Sequence, residues 1–263
     1  MKTRIITGLV LIAAILPCVY IGGIPFQVFI GIVAGAAVFE MLSICDRPKA
    51  NIYLYPLVGL FVFYSLYLET DLLISSSILI VYLIILSACS MFDYGMNFNR
   101  LCYYFTVGVL IAMGLHMIYQ LRITYGFESI LLLALATFGT DTGAYFAGMM
   151  FGKHKLNPRL SPKKTIEGSI GGIILGTVLS VAFGAYIKME SPSLYLIVIC
   201  FILTITSQIG DLIFSSIKRS FEVKDYSQLL PGHGGVLDRF DSILFNAMVF
   251  GILIHFVNMV IKL

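Results

Sequence analysis

Apolar residues run along this chain in blocks of 17 to 24, with polar residues collected in the gaps between them. Each block is long enough to cross about 30 Å of hydrocarbon as a helix. The pattern predicts nine spans, at about 5–22, 25–44, 52–68, 72–92, 101–119, 129–150, 166–187, 194–217 and 242–262. The connections are short except after the sixth and eighth spans, at about 151–165 and 218–241. The opening MKTRIITGLVLIAAILPCVY has the charged start and apolar middle of a signal peptide. No small-x-small cleavage site follows, so it reads as a retained first helix. The fold class expected is an all-α integral membrane protein, with residues 1–128 (spans 1–5) and 129–263 (spans 6–9) forming one integrated membrane domain.

Composition sharpens this picture. Of 263 residues 59% are hydrophobic and 12% charged, against roughly 25% charged in an ordinary soluble domain, and mean hydropathy is +0.96. A separate soluble domain is therefore excluded. The net charge of +3 averages over a polarised molecule. Fourteen lysines and arginines fall in the N-terminus and in the loops after spans 2, 4, 6 and 8, whereas Arg122, Lys188 and Lys262 are the three on the other side. Positive charge marks the cytoplasmic side, so the N-terminus and both long loops are expected there. The five cysteines show no C-x-x-C pairing, which gives no support to a disulfide framework or a thiolate metal site.

Three carboxylates stand out well inside or near the end of apolar spans, where each needs a partner, a wet cavity or a proton. Asp141 sits in ATFGTDTGAYFAGMM, Asp211 in TITSQIGDLIFSS, and Glu40 near the end of span 2. Ser207, Asp211 and Ser215 recur every four residues with Thr204 and Gln208 beside them, a polar stripe that faces protein or water. Gly168, Gly172, Gly176, Ser180 and Gly184 form a small-residue stripe suited to close helix packing. Glu40 is expected to pair with a basic residue of the cytoplasmic rim and is given no catalytic role. His116 and His255 are expected to find backbone carbonyls rather than metal.

The two long loops hold most of the remaining polar chemistry. In FGKHKLNPRLSPKKTIEGS, snorkelling explains Lys153 and Lys155, but Ser161, Lys163, Lys164 and Thr165 stand just before a helix start, where free N–H groups add to the attraction for phosphate. In SSIKRSFEVKDYSQLLPGHGGVLDRFDS, helix from Val236 onward would put Asp238 and Asp241 on one face. With Asp211 they make an oxygen-rich site for a hard divalent cation. An internal ion-pair network through Asp238, Arg239 and Asp241 that holds the loop down is an alternative that spacing alone leaves open, whereas the inventory of carboxylates, lysines and glycines on one side of the membrane favours the metal.

Ser215 to Asp241 reads Ser-x-Ile-Lys-Arg-x4-Lys-Asp-x-Ser-x2-Leu-Pro-x-His-Gly-Gly-Val-x-Asp-Arg-Phe-Asp and resembles the signature of phosphatidate cytidylyltransferases, with no departure over its 27 positions. The Asp141-Thr142-Gly143-Ala144-Tyr145-x2-Gly148 block and the Ser161-Pro162-Lys163-Lys164-Thr165-x-Glu167-Gly168 block resemble that family too. The resemblance covers 139–242 closely, and the first five spans match as generic apolar helices.

The resemblance implies a reaction of CTP with phosphatidic acid that gives CDP-diacylglycerol and pyrophosphate for phospholipid biosynthesis. It further implies a magnesium cofactor, with a second cation allowed, and a homodimer in a bacterial cytoplasmic membrane with its active site on the cytoplasmic side. Membrane lipid is the expected surrounding, and no nucleic-acid partner is called for. Carried over by position, Asp211, Asp238 and Asp241 would hold the metal, and Lys163, Lys164, Lys218 and Arg219 the phosphates. His233, Gly234 and Gly235 would shape backbone around CTP or pyrophosphate, with Ser161, Thr165, Lys224 and Arg239 also on the substrate side. Asp141 would orient a lysine or bind nucleotide. Two competing readings are a CTP-dependent lipid kinase such as dolichol kinase, and a cation-coupled transporter with Asp141 and Asp211 as its ion site.

Overall fold

Hydrocarbon offers no water to backbone N–H and C=O groups, so an apolar block that enters it must satisfy them within itself, as a helix does. The computed structural model describes residues 2–45, 52–68, 71–187 and 193–261. In chain order its elements are α1 (Lys2–Ile21), α2 (Gly23–Cys45), α3 (Leu54–Tyr67), α4 (Ser76–Phe92), α5 (Phe98–Phe151), β1 (Lys155–Asn157), β2 (Ser161–Thr165), α6 (Ile166–Tyr186), α7 (Ser193–Ser220) and α8 (Leu237–Ile261). Among the described residues, α2, α5, α6, α7 and α8 contain stretches long and apolar enough to cross a membrane, and α1, α3 and α4 supply shorter apolar stretches. The protein is an all-α integral membrane protein.

Spans 5 and 6 of the expected nine join in α5, whose 54 residues break at Gly126 (φ 82°, ψ −174°). At about 1.5 Å per residue α5 would measure roughly 80 Å, more than twice a hydrocarbon core, so it comprises two span-length segments. A second difference lies after span 6. The segment expected to be an irregular loop contains the antiparallel hairpin β1–β2, which pairs Lys155 with Thr165 and Asn157 with Ser161.

The chain divides into two compact units, residues 1–123 with 225–240, and residues 124–224 with 241–263. In the first unit, Phe61 stacks on Tyr82 with ring centroids 3.9 Å apart, and the Tyr82 hydroxyl donates to the Tyr104 carbonyl at 2.9 Å. Arg122 donates to the carbonyls of Val19 and Tyr20 at 2.6 and 2.8 Å and so satisfies the end of α1. His116 lies 2.8 Å from the Asp71 carbonyl, the backbone partner expected for it.

In the second unit, α6 turns its small residues inward and its branched ones outward. Gly168, Gly172, Gly176, Ser180 and Gly184 are buried, while Ile166, Ile170, Ile174 and Val178 are exposed. Lipid is as apolar as isoleucine, so the outward face carries no penalty, and helix association depends on how closely backbones approach. A Cβ added at Gly172 would lie 2.6 Å from the Thr140 carbonyl oxygen, and one at Gly143 would lie 2.8 Å from that of Gly171. Thus α5 and α6 cross backbone against backbone, which brings Asp141 of α5 beside the start of α6. A buried chain from Thr206 to Asn246 to Thr137, at 2.7 and 2.9 Å, ties α7, α8 and α5 together.

Candidate active site

A cavity of about 450 Å³ in the second unit collects the polar residues of three elements. Asp141 comes from α5, Lys163 and Lys164 from β2, and Gln208 and Asp211 from α7, while Tyr145, Met149 and Leu156 supply an apolar wall. The hairpin delivers the lysines because both of its ends are fixed. Thr165 caps α6 by accepting from the Gly168 N–H at 3.1 Å. Glu167, in the first turn of α6, accepts from the backbone N–H groups of Lys153 and His154 at 3.0 and 3.2 Å, and it meets the His154 ring at 2.6 Å.

Lys164 is drawn onto Asp211 as an ion pair, and both side chains remain about a quarter exposed, at 28% and 26%. Ser215 donates to the other oxygen of Asp211 at 3.3 Å. The α7 stripe turns toward α6, where Ser169 donates to Gln208 at 2.5 Å and Thr177 meets Thr204 at 3.3 Å. Asp141 lies within electrostatic reach of both Asp211 and Lys164. Further along, Lys218 of α7 lies 3.7 Å from Asp241 of α8, both nearly buried. Asp241 also accepts from the Ser242 N–H at 2.7 Å.

The first unit contains the loop that precedes α8, and there the carboxylates face backbone. One oxygen of Asp238 accepts from the N–H groups of Tyr226 and Gly235, each at 2.9 Å. Arg239 donates to the His233 carbonyl at 3.0 and 2.7 Å, and the Nδ1 of His233 is buried without a hydrogen-bond partner among the described residues. Gly234 takes a positive φ of 85° that turns the chain under Asp238. Glu40 of α2, 1% exposed, accepts from the Ser227 hydroxyl at 2.6 Å and from the N–H groups of Val236 and Leu237, each at 2.8 Å. Among the described residues Glu40 is held by a hydroxyl and two backbone amides rather than by the expected rim cation, because α2 ends beside the start of α8; Arg47 and Lys49, the basic residues that follow α2, lie outside the described residues.

The profile of the cytidylyltransferase family matches residues 2–257. The chain belongs to this family. A relative from Bacillus subtilis (strain 168) named phosphatidate cytidylyltransferase is 35% identical over 255 residues, which cover 93% of this chain and 94% of that protein. Proteins of the same name from Staphylococcus aureus (strain COL) and Staphylococcus saprophyticus are 33% and 31% identical, each over 97% of this chain and 99% of the relative. The likeness therefore takes in the first five spans, beyond the 139–242 stretch that carries the motifs.

For this cytidylyltransferase family member, the structure sorts the expected site residues into three groups. Asp141, Lys163, Lys164, Thr165 and Asp211 line a single cavity; Lys218 and Asp241 pair within the same unit; and His233, Gly234 and Gly235 of the loop before α8 adjoin Asp238 and Arg239 of its first turn. Ser161 lies in β2 and pairs with Asn157. Arg219 donates to the Val223 carbonyl at 2.9 Å, and Lys224 is exposed. The ion-pair alternative for the Asp-Arg-Phe-Asp segment is realised differently, since Asp238 and Arg239 hold the loop through backbone groups. The sequence reading singled out Glu40 but gave it no role at the site, and it gave none to Glu167 or Ser169. The signal for Glu40 was its expensive position in an apolar helix, and that for Glu167 was its place in the Ser161–Gly168 block.

Among the described residues, no three His, Cys, Asp or Glu side chains gather as metal ligands. The carboxylates of the cavity still fit a hard cation of the magnesium type, which ordinarily takes one or two carboxylates and completes its shell with water and phosphate oxygens. Asp141 and Asp211 are two such groups on one cavity. The lysine drawn onto Asp211 indicates that positive charge is accommodated there.

Proposed function

We infer that this protein transfers the cytidylyl group of CTP to phosphatidic acid, giving CDP-diacylglycerol and pyrophosphate for phospholipid synthesis. The observation that carries the reading is the cavity on which Lys164, Asp211 and Asp141 converge, in a chain that belongs to the cytidylyltransferase family along nearly its whole length. The relatives' shared name supports the choice of lipid substrate.

The chemistry asks little of a base. A phosphate monoester has its second pKa near 6, so the phosphatidate oxygen is already anionic at neutral pH. That oxygen forms a bond to the α-phosphorus of CTP while the bond from this phosphorus to the oxygen bridging toward the β-phosphate breaks, and pyrophosphate leaves with the electron pair. The obstacle is the approach of two anions, and positioned positive charge overcomes it. Lys163 and Lys164, held on a hairpin fixed at both ends, bind and orient phosphate oxygens. When phosphate arrives, the Lys164 ammonium can exchange part of its contact with Asp211 for the substrate. Lys218 and Arg219 act on the same charges, with His233, Gly234 and Gly235 shaping backbone around nucleotide.

Magnesium is the proposed cofactor, held by Asp211, Asp238 and Asp241 as the resemblance names them, with Asp141 added on the strength of the cavity. When bound, it supplies neutralising charge to the phosphates. The topology proposed is nine crossings with the N-terminus in the cytoplasm, supported by the fourteen-to-three division of basic residues and by the reach of α5. The active site then faces the cytoplasm, and a homodimer is the proposed assembly.

Purified protein in detergent, given labelled CTP, phosphatidic acid and magnesium, is expected to yield labelled CDP-lipid and pyrophosphate. Phosphorylated lipid with CDP as the products would assign it to the lipid kinases instead. Absence of any turnover in folded protein would sink the enzymatic reading.

A further inference from the structure

We propose that Glu40 is a positioning residue for cytidylyl transfer, which holds the Gly-Gly turn and the first turn of α8 in working geometry from a helix nearly two hundred residues earlier in sequence. The proposal rests on the activity inferred above. Glu40 is buried near the end of α2, where an isolated carboxylate is costly. Among the described residues the hydrogen bonds of its carboxylate go to the segment before and at the start of α8: the Ser227 hydroxyl at 2.6 Å and the Val236 and Leu237 N–H groups at 2.8 Å. Hydrogen bonds from N–H to a carboxylate are among the stronger ones. At a helix N-terminus they also use the positive end of the helix dipole.

Gly235 shows that the fit is specific. A Cβ at that position would lie 2.6 Å from Oε2 of Glu40, in the space the carboxylate occupies. The second glycine of the pair is thus small for the sake of Glu40, apart from any approach to nucleotide. Phe240 adds a second anchor to α2, its ring tilted against Phe29 with centroids 6.4 Å apart. The turn fixed in this way carries Asp238, whose oxygen braces the Tyr226 and Gly235 amides. Glu40 therefore sits at the base of a stack of carboxylate-to-amide contacts that sets where the acidic end of α8 points.

The test is Glu40→Gln, which keeps the size of the side chain but offers one acceptor oxygen where the carboxylate has two. With the full-length protein in detergent, the expected kcat falls about 10- to 100-fold while KM for CTP and phosphatidate stays within about threefold, because orientation is lost rather than contact with substrate. Hydrogen exchange at the Val236 and Leu237 amides should speed up at least about tenfold as local opening becomes easier. Glu40→Asp should recover part of both. Gly235→Ala should mimic the loss, and combined with Glu40→Ala it should add little, since the clash is then gone.

Wild-type kcat in Glu40→Gln, or unchanged exchange at both amides, overturns the proposal. Faster exchange without any fall in kcat overturns it too, because the contact is then structural alone. Should Glu40→Gln fail to accumulate, Ser227→Ala removes one contact and keeps both amide bonds, and a kcat equal to wild type there and in Gly235→Ala defeats the idea. A wild-type chain that makes no CDP-lipid sinks the activity reading and the catalytic role with it, while the exchange measurement still decides whether Glu40 fixes the turn.

Discussion

The hairpin before α6 and the loop before α8 look alike in sequence, each a charged stretch with glycines close to a helix start, yet they use their charges in opposite ways. In the hairpin unit, the cavity carboxylate Asp211 faces an ammonium group, Lys164, and both stay partly open to water. In the loop unit, the carboxylates of Asp238 and Glu40 face backbone N–H groups. An ammonium on a flexible stem can leave for a phosphate and let a cation replace it. A backbone amide cannot leave without unfolding the turn. The first arrangement is therefore suited to chemistry that exchanges partners, and the second to holding a shape around that chemistry.

Substitutions that remove charge but keep shape probe this contrast most directly. Asp211→Asn should lower turnover by at least roughly a hundredfold in folded, membrane-inserted protein, the scale for losing one strong electrostatic contributor. Labelled-CTP assays check it, and near-normal activity would remove Asp211 from the chemistry. Asp238→Asn keeps an oxygen for the Tyr226 and Gly235 amides and so tests charge alone. Turnover should again fall about a hundredfold if its carboxylate serves the metal as proposed, with amide protection in the loop unchanged. Activity close to wild type would make Asp238 purely architectural and widen the contrast between the two regions.

Lys164→Ala comes next, with kcat/KM for CTP reduced about tenfold or more, since a positioned charge is lost while the Asp211 carboxylate stays in place. A KM for CTP and a kcat both equal to wild type would show that the pair with Asp211 is static. Glu167→Gln should have the smallest effect. It leaves one acceptor for the Lys153 and His154 amides at a site open to water, so turnover is expected within about threefold of wild type and the melting temperature close to it. A thermal melt and an assay suffice to check both, and a loss as large as that for Asp211 would mean the hairpin is held as tightly as the loop before α8.

Much of the architecture was legible because membrane helices obey a one-dimensional rule. Apolar length, the small-residue stripe of α6 and the polar stripe of α7 are all periodic, and each appears in the structure on the face its period demands. Asp141, Lys164 and Asp211 were also legible, as charges with no reason to sit where they do unless something answers them. The hairpin at 155–165 was not, because Pro158 and Pro162 read locally as loop and pairing of such short strands depends on α6 fixing one end and Glu167 the other. The break at Gly126 falls in the connection expected between 119 and 129; what was not legible is that helix runs up to it from both sides. The partners of Glu40 were not legible, because two of the three are backbone amides, which carry no residue type to search for.

By itself, then, the order of residues determined that this chain is built of apolar membrane helices and that acids and lysines gather at two places, since these follow from local hydropathy and charge. Only the folded structure decided which acid answers a lysine and which answers an amide. That choice depends on which helix ends lie beside each other within a unit, a distance no linear pattern encodes.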